Sequence, residues 1–191
     1  MNSREHPAVF LDRDGTIVRQ VELLHDPELM RLLPRACEAI RLLNENGLKV
    51  VVVTNQPVVA RGMASVSDVY QLHKLLNMRL GKGGAHIDAF YFCPHHINAN
   101  VEEYRITCAC RKPNPGMILK AAEDHNLNLQ RSVMIGDTTQ DIMTGQNAGI
   151  KTILVRTGHG GRDPWQYSCT PDFAAVDLRA AVELWLKESK L

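Results

Sequence analysis

Three observations in the amino-acid sequence predict an α/β fold built on a doubly wound, mainly parallel sheet. Strand-like apolar runs alternate with amphipathic helical segments along the chain, the pattern left by right-handed β-α-β crossovers. The run 48–53 is continuous and β-branched, as expected of a strand covered on both faces. Polar residues capable of chemistry follow directly after these runs, where such sheets gather their ligands. With 191 residues, 45% of them hydrophobic, the chain can bury a sizeable core and reads as a single domain over residues 1–191.

The elements follow in order. Val9-Phe10-Leu11 is a short buried strand that runs into Asp12, Asp14 and Gly15. Residues 17–33 lack a clean period and read as a long loop, with a short helical turn near 27–30. Pro34 can open a helix whose apolar face is Ala36, Ala39, Ile40 and Leu43 and which Gly47 stops. The strand 48–53 then ends in Thr54-Asn55-Gln56. Ser65 with Asp68 can cap a helix with the face Val69, Leu72, Leu76 and Leu80. A third strand covers 87–92, and residues 93–113 follow neither period. Asn114 and Pro115 suit a cap and first position for a helix to about His125. Strands at 133–135 and 152–155 flank a helix that has Asp141 in its first turn and is closed by Gly149. Gly158-His159-Gly160-Gly161 is a flexible loop. Asp177 caps a terminal helix with apolar Leu178, Ala181, Leu184 and Trp185. The whole is a Rossmann-like three-layer sandwich.

Charge narrows the function. Lys and Arg number 22 against 21 Asp and Glu, a net charge of +1, so no polyanion footprint is present and nucleic acid is not an expected partner. No apolar run approaches membrane-spanning length, and Arg4-Glu5 precedes any apolar run, so neither a membrane anchor nor a signal peptide is expected. A monomer is the simplest expectation for the assembly.

The chemistry concentrates in two places. Asp12 and Asp14 are two residues apart at a strand end, so both can address one side of the crevice beyond it. Crowded carboxylates need a cation between them, and Mg²⁺ also makes a phosphate approachable by a carboxylate nucleophile. Asp137 follows another apolar run and reads as a third oxygen ligand, whereas Asp141 is explained as an acid in a helix's first turn. The second place is Cys93-Pro94-His95-His96 with Cys108-Ala109-Cys110, whose thiolates and imidazole suit tetrahedral Zn²⁺. Cys93, His95, Cys108 and Cys110 form the expected set, with His96 competing for the place of His95. Four protein ligands make such a zinc structural, and thiols used this way indicate a reducing compartment. Cys37 and Cys169 stand alone and read as core or incidental.

At these residues the chain resembles the haloacid dehalogenase-like phosphohydrolases. Their four characteristic segments correspond to Asp12-Arg13-Asp14-Gly15-Thr16, to Thr54, to Lys112, and to Gly136-Asp137 with Asp141, and the resemblance covers essentially the whole chain. It implies Asp12 as nucleophile, Asp14 as general acid and base, Thr54 and Lys112 holding the transferring phosphoryl, and Mg²⁺ bound by Asp12, the main-chain carbonyl of Asp14 and Asp137. The zinc loop with Arg111-Lys112-Pro113 is similar to that of a narrower group in this family that removes a phosphate from heptose bisphosphates. That similarity implies a phosphorylated heptose as substrate, no large cap domain and a cytoplasmic enzyme. Histidinol phosphate or another small phosphomonoester is the alternative substrate, and a non-catalytic zinc-stabilised binding module is the reading from another class. Asn55, Gln56, Arg61 and Arg111 are the candidates for substrate contact, Arg111 through its fork of donors to a second phosphate. Two departures stand out: Pro57-Val58 after Gln56 where a Ser-Gly pair is common, and Thr138 after Asp137 where a lysine is common.

Overall fold

The computed structural model describes residues 6–189, so the reading of Arg4 and Glu5 lies outside the described residues. The strands are β1 (Ala8–Leu11), β2 (Lys49–Asn55), β3 (Ala89–Cys93), β4 (Val133–Gly136), β5 (Lys151–Val155) and β6 (Phe173–Ala175). They form one sheet in the order β3-β2-β1-β4-β5-β6, every pairing parallel. The strand order reverses at β1, which lies between β2 and β4. The crevice beyond its carboxyl end is therefore the expected ligand site.

Alternation along β1 divides the core between the two faces of the sheet. Val9 and Leu11 join Val50, Val52, Ile135 and Ile153 beneath helices α1 (Ala36–Glu45), α2 (Val66–Gly81) and α5 (Leu178–Glu188). Ala8 and Phe10 join Val51, Val53 and Met134 against α3 (Gly116–Asp124) on the other face. Helix α4 (Thr139–Asn147) shares that second face, where Gly145 lies so close to Met134 and Thr152 that a side chain there would clash. The expected three layers are present, as is the capping box of Ser65 and Asp68 that opens α2.

Several boundaries differ from the sequence reading. Helix α1 starts at Ala36, because Arg35 takes a left-handed conformation (φ 61°) that interrupts the backbone after Pro34. Asn114 is not a cap; its side-chain amide donates to the carbonyl of Cys108, and α3 begins at Gly116. Strand β3 begins at Ala89, since the Asp88 carboxylate turns back to accept from the Val50 N–H (2.8 Å) and the Lys49 ammonium (2.7 Å). Leu184 is only half-buried on α5, while Val182 belongs to the core. The sixth strand has three residues and too little pattern to be read from sequence. Residues 17–33 are a loop with a turn at 27–29, as expected, yet Ile17, Val18, Leu24 and Met30 are buried and pin it to the core. Among the described residues, no helix is long and apolar enough to cross a membrane.

Candidate active site

The carboxyl ends of β1, β2 and β4 deliver Asp12, Thr54 and Asp137 to one crevice, and the loop before α3 adds Lys112. Each is nearly or fully buried. The Lys112 ammonium donates to Asp12 Oδ1 (2.8 Å) and Asp141 Oδ1 (2.5 Å). Burial alone would lower the pKa of this lysine, but the Asp12 and Asp141 carboxylates outweigh it and push the pKa up, so the lysine is charged. Its main-chain N–H donates to Asn55 Oδ1 (3.0 Å), which fixes the segment that carries it.

Asp12, Asp137 and Asp141 bring carboxylate oxygens within 4.8 Å of one another. Burial first, then the Asp141 and Asp12 charges, push the Asp137 carboxyl up to about 8, and burial likewise raises Asp141. With all three carboxylates ionised against one ammonium, two charges would stay uncompensated in a dry place, and one divalent cation would balance them. Oxygen donors from side chains suit a hard cation such as Mg²⁺, so the donor set fits it. Asp137 is held from both sides, by the His159 N–H to Oδ2 (2.7 Å) and the Thr16 hydroxyl to Oδ1 (3.4 Å). Gly15 and Gly158, both with positive φ, sit against its carboxyl where any Cβ would overlap it. Asp141 lies in the first turn of α4, as the sequence suggested; it also completes a capping box with Thr138, bonds Lys112 and faces the other two carboxylates.

Asp14 is separated from this cluster by its own partners. Its Oδ2 accepts from Arg13 Nη2 (2.8 Å) and Nε (3.1 Å) and from Gln56 Nε2 (2.9 Å), while Oδ1 accepts no bond among the described residues. Arg13 is 0% exposed, and it also donates to Gln56 Oε1 (2.9 Å) and lies 3.4 Å from His73 Nε2. His73 is buried as well, stacked on Phe90, and burial followed by the Arg13 charge lowers its pKa to about 3. Gln56 also donates to the Thr54 hydroxyl (3.0 Å). Sequence reasoning gave Arg13 no part. A charged residue set between two site aspartates and behind an apolar run was the available signal.

Asp12, Asp14, Thr54, Gln56 and Lys112 line a cavity of about 560 Å³, together with Asn55, Arg61, His96, Arg111 and Trp165. Arg61 donates to the Asn98 carbonyl (3.0 Å) and Arg111 to the His95 carbonyl (2.8 Å). Burial, then Arg111 and Arg61, lower the pKa of His96, which favours the neutral imidazole and leaves the two arginines to make this wall electropositive. Asn55 faces the cavity, but its amide is engaged by Gln140 (2.8 Å) and by the main chain of Lys112.

The second cluster assembles as the spacing suggested, with sulfur and nitrogen atoms of Cys93, His95, Cys108 and Cys110 all within 4.8 Å. Cys110 Sγ lies 3.2 Å from Cys108 Sγ and 3.4 Å from His95 Nδ1, and Cys93 Sγ lies 3.5 Å from Cys108 Sγ. Such edges approach those of a tetrahedron around a metal with bonds of about 2.3 Å. A hydrogen bond from Cys93 pulls the Cys110 thiol down to about 5, while the same bond and burial push Cys93 up. The cluster can bind a metal ion. His96 stays out of it and accepts from the Asn98 N–H (3.0 Å).

Comparison with known proteins agrees with this geometry. A family model described as HAD-hydrolase-like matches residues 109–181. The chain is 42% identical over 187 residues to the D-glycero-D-manno-heptose-1,7-bisphosphate 7-phosphatase of Thermosynechococcus vestitus, covering 94% of this chain and 95% of that one. It is 38% identical over 153 residues to the D-glycero-beta-D-manno-heptose-1,7-bisphosphate 7-phosphatase of Escherichia coli K12, covering 80% of each chain. Among solved structures, the D,D-heptose 1,7-bisphosphate phosphatase of B. bronchiseptica, complexed with magnesium and phosphate, superposes with a TM-score of 0.84 at 30% identity, covering 95% of this chain and 99% of that one.

Proposed function

Because the chain belongs to the haloacid dehalogenase-like phosphatases and is closely related to the D-glycero-D-manno-heptose-1,7-bisphosphate 7-phosphatases, we propose that it removes the 7-phosphate of that bisphosphate through an aspartyl-phosphate. The observation that carries the proposal is the convergence of Asp12, Lys112, Asp137 and Asp141 beside a cavity that Asp12 and Lys112 line together with Arg61 and Arg111. One end of a bisphosphate can react while guanidinium groups hold the other.

Asp12 attacks phosphorus, and the bond from phosphorus to the C7 oxygen breaks. Asp14 gives its proton to that oxygen, then takes one from the water that hydrolyses the aspartyl ester. Arg13 and Gln56 orient Asp14 by holding Oδ2, which leaves Oδ1 uncommitted for proton transfer. Lys112 and the Thr54 hydroxyl stabilise charge on the equatorial phosphoryl oxygens. Asp12, the Asp14 carbonyl and Asp137 would hold Mg²⁺ with Asp141 beside them, and the ion supplies the charge that lets an anionic nucleophile approach a phosphate. Arg61 and Arg111 grip the anomeric phosphate, with Asn55 and Gln56 at the cavity wall in the positions described.

Cys93, His95, Cys108 and Cys110 would hold a structural Zn²⁺, which closes a loop too poor in apolar residues to pack itself. Cys110 is two residues from Lys112, so order imposed on the cluster extends to the catalytic lysine. Unoxidised thiols of this kind fit a cytoplasmic enzyme acting as a single domain.

The test is phosphate release with Mg²⁺ from a matched panel: both anomers of the heptose 1,7-bisphosphate, histidinol phosphate and simple sugar phosphates. A preference of about 10²-fold in kcat/KM for a heptose bisphosphate, roughly 3 kcal/mol of selective transition-state binding, supports the assignment. Flat rates or a preference for histidinol phosphate would sink it.

A further inference from the structure

We propose that Trp165 is a specificity-determining residue that packs against the carbon skeleton of the phosphorylated sugar at the mouth of the catalytic cavity. Trp165 lines the same cavity as Asp12 and Arg111, yet it is 61% exposed. A large apolar ring left in water on a loop has no share in the core, and an indole is suited to cover the C–H faces of a sugar while its polar edge stays wet. The surrounding Arg61, Arg111 and Lys112 address phosphates and hydroxyls, and Val21, Leu23, Val58 and Met63 add apolar lining. Trp165 offers the carbon chain between the two phosphates an apolar partner.

The segment that carries it is fastened on both sides. Asp163 is 1% exposed and accepts from the Thr139 N–H and hydroxyl, each at 2.7 Å. The same hydroxyl accepts from the Tyr167 N–H (2.9 Å). Two anchors on Thr139, the first residue of α4, thus bracket Trp165 at the tip of a short turn. Helix α4 also supplies Gln140 to the cavity wall and Asp141 to Lys112. An anchored turn loses little freedom on binding, which makes a contact made from it effective.

This inference rests on the heptose-bisphosphate reading, and the experiment separates the two. Wild-type turnover of the heptose bisphosphate is measured first; its absence overturns that reading and the inference with it, before any variant is made. Given turnover, Trp165→Ala should raise KM for the heptose bisphosphate by about tenfold, the factor carried by about 1.4 kcal/mol, with most of the loss in KM rather than kcat. The loss in kcat/KM should be much smaller on acetyl phosphate, which has no sugar chain, and Trp165→Phe should recover most of it. A second readout uses fluorescence. The chain has two tryptophans, and Trp185, on α5, is buried at 5% exposure. Adding heptose bisphosphate to inactive Asp12→Asn protein should therefore change emission, and the added Trp165→Phe substitution should abolish that change. Equal losses on both substrates, or an unchanged KM with no fluorescence response, would overturn the proposal.

Discussion

Replacing Lys112 by methionine tests the charge balance of the site most directly. The side chain is 4% exposed and its ammonium holds Asp12 at 2.8 Å and Asp141 at 2.5 Å. Methionine keeps the length and removes the charge, leaving Asp12, Asp137 and Asp141 to repel one another without water. Breaking a buried pair by removing one partner costs about 3–5 kcal/mol. For a chain of this size each kcal/mol moves Tm by roughly 2–4 °C, so the metal-free variant should melt about 6–20 °C below wild type. Asp137 and Asp141 already have raised pKa values, so protonating them at lower pH should narrow the gap between variant and wild type. Mg²⁺ should narrow it at neutral pH for the same electrostatic reason. Turnover should fall about 10²–10³-fold, the usual effect of losing one preorganised charge at a transition state. The assays are thermal unfolding in EDTA and in Mg²⁺, and phosphate release. A variant with Tm within 2 °C of wild type in EDTA and kcat within about tenfold would refute this account of the cluster.

Asp12→Asn should abolish phosphate release while the far-ultraviolet dichroism stays native; a rate near wild type would exclude covalent catalysis by this residue. Arg111→Ala and Arg61→Ala should each raise KM for the bisphosphate by about tenfold or more and leave a monophosphate nearly unaffected, as steady-state kinetics can check. Removing metal from the cysteine cluster should make residues 93–111 sensitive to protease and lower activity, with both restored by Zn²⁺. His73 gives a pH prediction. Its folded pKa of about 3 lies below the ordinary 6.5, so the unfolded chain takes up the proton first and stability falls as pH drops through 6.5 toward 3. By pH 5 this group should account for about 2 kcal/mol of lost stability, seen as a larger fall in urea midpoint between pH 7 and pH 5 for wild type than for His73→Gln.

The chemistry was more legible than its support. Asp12, Asp14, Thr54 and Asp137 directly follow buried runs, and a strand end translates sequence position into spatial position almost without ambiguity. The zinc-like set was legible because thiols and imidazole in short pairs have few other uses. Contacts between remote segments left no local trace. The bond from Lys112 to Asp141 spans 29 positions and that from Gln56 to Asp14 spans 42. Arg13 received no role, because full burial of a guanidinium depends on Asp14, Gln56 and His73 arriving from three places. The His159 N–H that holds Asp137 is a main-chain group and carries no residue signature. Strand β6 needed an edge of β5 to pair with, which three residues cannot announce.

The parallel sheet also divides the molecule's future from its past. Asp12, Thr54 and Asp137 lie within a residue of the ends of β1, β2 and β4, so they inherit the stiffness of the most deeply buried strands. Arg61, His96, Arg111 and Trp165 sit on connecting segments that the hydrogen-bonded ladder does not constrain. Descendants of this chain can therefore exchange what they recognise by rewriting loops while the phosphoryl chemistry is passed on unaltered. A chimera carrying another relative's loops should keep Asp12, Thr54 and Asp137 in register and change only its diet.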